Sequence, residues 1–136
     1  MKRFVILMLM LAQVATVLAG QYELISDTLT NSKIYPGTTH ALQVYVPEKY
    51  DGKEPACLYV GLDGVLCNAP TVIDTLIAQG KMPVTIGVFL QPGVVHDAMG
   101  NVVRYNRSNE FDRTSPLFAE FLEKEVLPEV QKLTDS

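Results

Sequence analysis

The chain predicts an α/β fold, and three observations carry that prediction. Leu42, Val44 and Val46 alternate with Ala41, Gln43 and Tyr45, the period-two pattern of a strand with one face buried. Two continuous apolar runs, Cys57-Leu58-Tyr59-Val60-Gly61-Leu62 and Val84 to Leu90, have the composition of strands covered on both faces. Between them and after them lie segments whose apolar residues recur at helical spacing. Two strands joined by a helix make a right-handed parallel crossover, so helices are expected on the faces of the sheet.

Each element follows from local chemistry. Tyr22 to Tyr35 mixes Leu24, Ile25, Leu29 and Ile34 with Ser, Thr and Asn, which predicts one or two outer strands broken near Asn31-Ser32. Pro36-Gly37 makes a turn, the alternating strand follows, and Pro47 ends it. His40 opens that strand and is expected to face solvent. Glu48 to Pro55 is polar, carries Asp51-Gly52 and reads as an exposed connection. Asp63-Gly64 closes the first buried strand. Pro70 suits a first helical turn, Val72, Ile73, Leu76 and Ile77 share one face, and Gly80 with Pro83 terminates the helix.

After the second buried strand, Gln91 to Arg113 reads as a long loop with little secondary structure of its own, a kind of segment that is often functional. It leaves the carboxyl end of a parallel strand, where open α/β sheets bind ligands. Thr114 or Ser115 is placed to cap a final helix, with Pro116 in its first turn and Leu117, Phe118, Phe121, Leu122 and Val126 as its apolar stripe. Glu120, Glu123 and Lys124 fall on the solvated face. Pro128 removes a backbone donor and should kink or end the helix near Lys124.

The first 19 residues read as a signal peptide. Lys2 and Arg3 precede an apolar run from Phe4 to Leu18, and Val17-Leu18-Ala19 is a small-residue cleavage site. Gln13 and Thr16 interrupt a stretch that would need about 20 apolar residues to span lipid, so a stable membrane anchor is not expected. The predicted organisation is a signal peptide over 1–19 and one domain over 20–136, exported to the periplasm or the extracellular space. Removing residues 1–19 takes two basic residues and no acidic ones, which moves the formal charge from −4 to −6. Nucleic acid is excluded as a partner on this balance, because phosphate binding needs a basic patch.

An exported chain with two cysteines raises the question of a bridge. A strand from Cys57 to Leu62 carries the chain about 16 Å away, and five residues remain before Cys67 to bring it back within the roughly 4.4–6.8 Å a disulfide requires. Buried thiols, or pairing elsewhere, are therefore expected instead. His96 sits in a Gly-rich turn with no second His at ligand spacing, so it reads as a surface residue and no metal site is predicted. Arg104, Arg107, Glu110 and Asp112 form a charged group on the long loop. Arg107, oriented by Glu110, has the geometry to bind a substrate carboxylate or phenolate, while the commoner use of such residues is an Arg–Glu pair that pins a loop.

Several short motifs, in order, resemble an esterase family of α/β hydrolases that includes enterochelin, feruloyl and acetylxylan esterases. They are Lys33-Ile34-Tyr35-Pro36-Gly37-Thr38-Thr39, Tyr45-Val46-Pro47 with Tyr50-Asp51, and Asp63-Gly64. The match continues through Leu76-Ile77-Ala78-Gln79-Gly80-Lys81-Met82-Pro83, Asn106-Arg107-Ser108 with Glu110-Phe111-Asp112, and Glu125-Val126-Leu127-Pro128-Glu129-Val130. The resemblance implies a serine esterase that acts on a small-molecule or polysaccharide-linked ester without a cofactor. It also implies an oxyanion-hole loop at Asp63, Gly64 and Val65, although Asp-Gly equally makes ordinary strand-ending turns.

No Gly-x-Ser-x-Gly elbow occurs in the chain. The resemblance therefore places the triad serine, acid and histidine after Ser136, and the chain reads as the N-terminal part of the hydrolase sheet, outer strands then β-α-β-α, truncated before the nucleophile elbow. The chain alone is expected to be inactive. The competing expectation is a secreted, non-catalytic binding module on a hydrolase-like scaffold.

Overall fold

The computed structural model describes residues 21–135. The expected signal peptide lies outside the described residues. Strand β1 (Tyr22–Leu29) pairs antiparallel over its whole length with His40–Pro47 of β2 (Thr38–Pro47), and the connection turns through Asn31 and Gly37, both at positive φ. β3 (Cys57–Leu62) and β4 (Thr85–Leu90) run parallel, joined by helix α1 (Ala69–Ala78), which is the predicted crossover. β4 then pairs antiparallel with Leu42–Tyr45 of β2, so the sheet is mixed.

Helices cover both faces. One core contains Leu42, Val44, Ile86, Val88 and Leu90 with Tyr35, and is closed by Phe121, Val126 and Val130. The other holds Tyr45 and Phe89 against Ile73 and Ile77 of α1. Alternation along β2 and β4 explains the division, because successive side chains point to opposite faces. Glycine is needed where the Phe89 ring lies flat over the sheet: a Cβ on Gly61 would stand 2.9 Å from its Cδ1.

Several expectations need correction. Tyr45 lies in the polar phase of β2 yet is fully buried, because α1 covers that face and Asp74 accepts its hydroxyl proton at 2.9 Å. In α1 the buried positions are Pro70, Ile73, Asp74 and Ile77, while Val72 is half exposed. β3 is not covered on both faces. It is an edge strand of the described sheet and exposes Leu58, Tyr59 and Leu62. Cys57 and Cys67 are free, as the spacing argument required, but both are exposed rather than buried.

The long loop also has structure. β5 (Val94–His96) pairs with Thr38–Thr39 of β2 and forms a hairpin with β6 (Val102–Tyr105), its turn fixed by Asp97, which accepts from the N–H groups of Met99 and Asn101. A single helical turn, α2 (Arg107–Glu110), follows. The final helix is α3 (Leu117–Phe121), a π-helical turn over Leu122–Val126, and α4 (Leu127–Thr134). Pro128 has no N–H to give the helix, and the i→i+5 bond from Leu127 to Leu122 just before it absorbs the fault without ending the helix. The N-cap position is Pro116 rather than Thr114 or Ser115, and Ser115 just before it accepts from the Leu117 N–H at 3.1 Å. No helix among the described residues is long and apolar enough to cross a membrane.

Candidate functional site

The carboxyl ends of the parallel strands β3 and β4 meet the start of β2 and the β6–α2 segment. The 63–65 loop lies there, directly after β3. Asp63 and Gly64 both occupy the left-handed region, at φ 63° and 79°. Strain of this kind at a non-glycine residue persists only where the surroundings hold it. Here the Asp63 carboxylate accepts two hydrogen bonds from Arg107, Nε to Oδ1 at 2.8 Å and an Nη to Oδ2 at 2.7 Å. This two-pronged bond holds the Asp63 carboxyl below its ordinary range and raises Arg107 further.

The three loop residues differ in what their backbones offer. The Gly64 N–H donates to the Leu90 carbonyl at 3.1 Å, tying the loop to the end of β4. The Val65 N–H donates to nothing among the described residues. A Cβ on Gly64 would displace the Gln91 side chain, and the backbone at φ 79° is itself strained for any residue but glycine. A pocket of about 360 Å³ opens beside the loop, lined by Gly64, Gln91, Leu42, Gln43, Phe89 and Asp27. It combines apolar walls with amide and carboxylate groups, as small-molecule sites do.

Arg107 and Glu110 are one helical turn apart but face different surroundings. Arg107 is half exposed, binds Asp63, approaches Asp112 at 3.8 Å and stacks 5.5 Å above the Phe111 ring. Glu110 does not orient it. Glu110 is buried, and its Oε1 accepts from Asn106 at 2.7 Å and meets His40 Nε2 at 3.1 Å, while Oε2 accepts from the Gly93 N–H at 3.0 Å. Burial pushes the Glu110 carboxyl up, but the bonds from His40, Gly93 and Asn106 outweigh it and hold its pKa below the ordinary 4.5.

His40 therefore corrects the sequence reading: it is fully buried, stacked 4.5 Å from the Phe121 ring, and anchors the α2 turn to β2. The pin joining the long loop to the body is accordingly double, Arg107 to Asp63 at the surface and Glu110 to His40 inside. Sequence reasoning missed Asp63 as the partner of Arg107 and His40 as the partner of Glu110. The available signal was the alternation of β2, which puts His40 in phase with Leu42 and Val44. His96 is exposed, as expected for a turn residue.

The fold and this loop define a mixed α/β domain with a ligand-sized pocket at the carboxyl ends of its parallel strands. No protein-family model matches the chain, and no curated protein matches it. Chains of solved structures do match, among them a ferulic acid esterase with a TM-score of 0.52 and 26% sequence identity. That match covers 82% of this chain and 42% of the esterase, so the chain spans less than half of its length. The similarity supports an esterase-like fold.

Proposed function

We propose that the chain is the part of an exported carboxylic ester hydrolase that carries one wall of its oxyanion hole, built on the α/β-hydrolase plan and needing no cofactor. The observation that supports this most directly is the 63–65 loop. Its Val65 N–H lies uncommitted at the carboxyl end of β3, on a backbone fixed by Arg107 and Leu90, in a chain similar to a ferulic acid esterase. A rigid backbone N–H is suited to hold the charge that grows on a carbonyl oxygen during attack, because it needs no reorganisation as the charge appears. Within the candidate triplet the donor is Val65, with Gly64 shaping the turn and Asp63 locking it.

The serine, acid and histidine of the triad are assigned to no described residue. The substrate class proposed is a small-molecule or polysaccharide-linked ester. Export rests on the sequence of residues 1–19, with no stable membrane anchor and no nucleic-acid partner. A second reading, a secreted binding module that keeps the scaffold without catalysis, draws on one feature. His40 is buried against Glu110 and His96 is exposed, and neither is hydrogen-bonded to a serine among the described residues.

Sequencing the source DNA through and beyond the Ser136 codon separates the two. A frame that continues into Gly-x-Ser-x-Gly and later supplies an acid and a histidine upholds the esterase reading. A stop codon at that point sinks it and leaves the binding module. In the continued protein, Arg107→Lys loses the two-pronged hold on Asp63 and is expected to lower kcat about tenfold with KM little changed, because a misplaced donor weakens transition-state binding most. Steady-state kinetics on p-nitrophenyl acetate and methyl ferulate measure it.

A further inference from the structure

We propose that a second site, separate from the 63–65 loop, binds a small organic carboxylate in the pocket between the start of β2 and the segment that runs from β6 to α3. This inference does not depend on the esterase reading. The pocket has a volume of about 350 Å³ and is walled by Tyr35 and Thr38 on one side and by Arg104, Asn106 and Arg113 on the other.

Charge is the first argument. Arg104 makes no ion pair among the described residues, and Arg113 makes a single neutral hydrogen bond, from an Nη to Asn109 Oδ1 at 3.0 Å. A guanidinium has five N–H donors, so both keep most of theirs. The carboxylates of the same segment are occupied elsewhere: Glu110 by His40, Gly93 and Asn106, and Asp112 by Arg107. Two arginines lining one pocket without a carboxylate of their own make a site for an anion.

Tyr35 forms part of the wall. It is 7% exposed and its hydroxyl is buried out of reach of the pocket, so it lends the site wall but no hydroxyl donor, and the arginines carry the recognition of the anion.

The remaining walls choose among anions. Ile34, Pro36 and the half-exposed Leu117 line the same pocket and give an apolar seat beside the charged one. Inorganic phosphate satisfies the arginines and leaves that surface wet. A neutral aromatic does the reverse. A carboxylate on a short apolar or aromatic body satisfies both.

Saturation-transfer NMR on the intact chain, with benzoate, inorganic phosphate and benzyl alcohol as probes, tests the proposal whatever the assembly state. Benzoate is expected to bind. Arg104→Gln and Arg113→Gln are each expected to weaken it about tenfold, the loss of one charge-assisted hydrogen bond. Absence of benzoate binding overturns the proposal. So does benzyl alcohol binding as tightly as benzoate, phosphate binding in its place, or benzoate affinity that neither arginine variant alters.

Discussion

His40 and Glu110 are separated by 70 positions and meet with both side chains fully buried. Removing the carboxylate strands the His40 nitrogen, the Gly93 N–H and the Asn106 amide together, and each buried donor left without an acceptor costs about 1–3 kcal/mol. Glu110→Ala is therefore expected to destabilise by at least about 3 kcal/mol, read by urea denaturation. The pH dependence has a definite sign. Since the folded pKa of Glu110 lies below its ordinary 4.5, its contribution is fully present above that value and is lost as pH falls through the folded one. Glu110→Gln should make the acid limb of the stability curve shallower while leaving its neutral plateau lower than that of the native chain. None of this pairing was legible from spacing, because a His and a Glu on distant segments carry no local signature. The alternation of β2 did place His40 on the buried side, and the polar identity of the residue masked it.

At the scale of elements, continuous apolar runs located β3 and β4, and helical spacing located α1 and the final helix. What periodicity missed was created by tertiary contact. β5 and β6 are three and four residues long and exist because β2 extends far enough to offer Thr38 and Thr39 as partners. The π-helical turn has its cause written in Pro128, but only the packing of Phe121, Val126 and Val130 into one core shows that the helix continues through it. Glu125, within that turn, accepts from the N–H groups of Lys33 and Ile34 at 2.9 and 3.1 Å and so ties the helix to the β1–β2 connection. Phe121 is the central contact of the helix, edge-on to Tyr35 at 5.2 Å and fully buried. Phe121→Ala is expected to cost about 4 kcal/mol, the burial of a whole ring together with the cavity it leaves. Thermal unfolding followed by circular dichroism checks this, and loss well under about 1 kcal/mol would show that the helix docks by other contacts.

For the molecule as a whole, the sheet is finished unevenly. β4 is buried at all six positions, whereas its parallel neighbour β3 has no second strand among the described residues and exposes Leu58, Tyr59 and Leu62. The apolar run that predicted a strand covered on both faces was read correctly for its type and incorrectly for its surroundings, because composition reports what a strand is suited to and not what lies beside it. Natural sheets protect such edges with charge, proline or a covering segment, and β3 has none of these within its length. The chain is expected to self-associate through this edge at micromolar concentration, and Leu58→Lys is expected to shift it toward monomer. Sedimentation velocity at several concentrations decides the matter. A monomer at every concentration would mean that β3 is protected in a way its sequence does not reveal.

The position of β2 also governs the order in which the chain can become stable as it is made. β1 and β2 are neighbours in sequence and can pair as soon as both have emerged, but one face of β2 waits for Glu110 and Phe121, and its preceding turn for Glu125, 92 positions beyond Lys33. Contacts at such separations form late, because a long loop must be closed before they bring any gain. Ribosome-bound chains halted before Glu110 are therefore expected to be cut freely by protease throughout β2, and protection should appear abruptly only once Thr134 has cleared the ribosome.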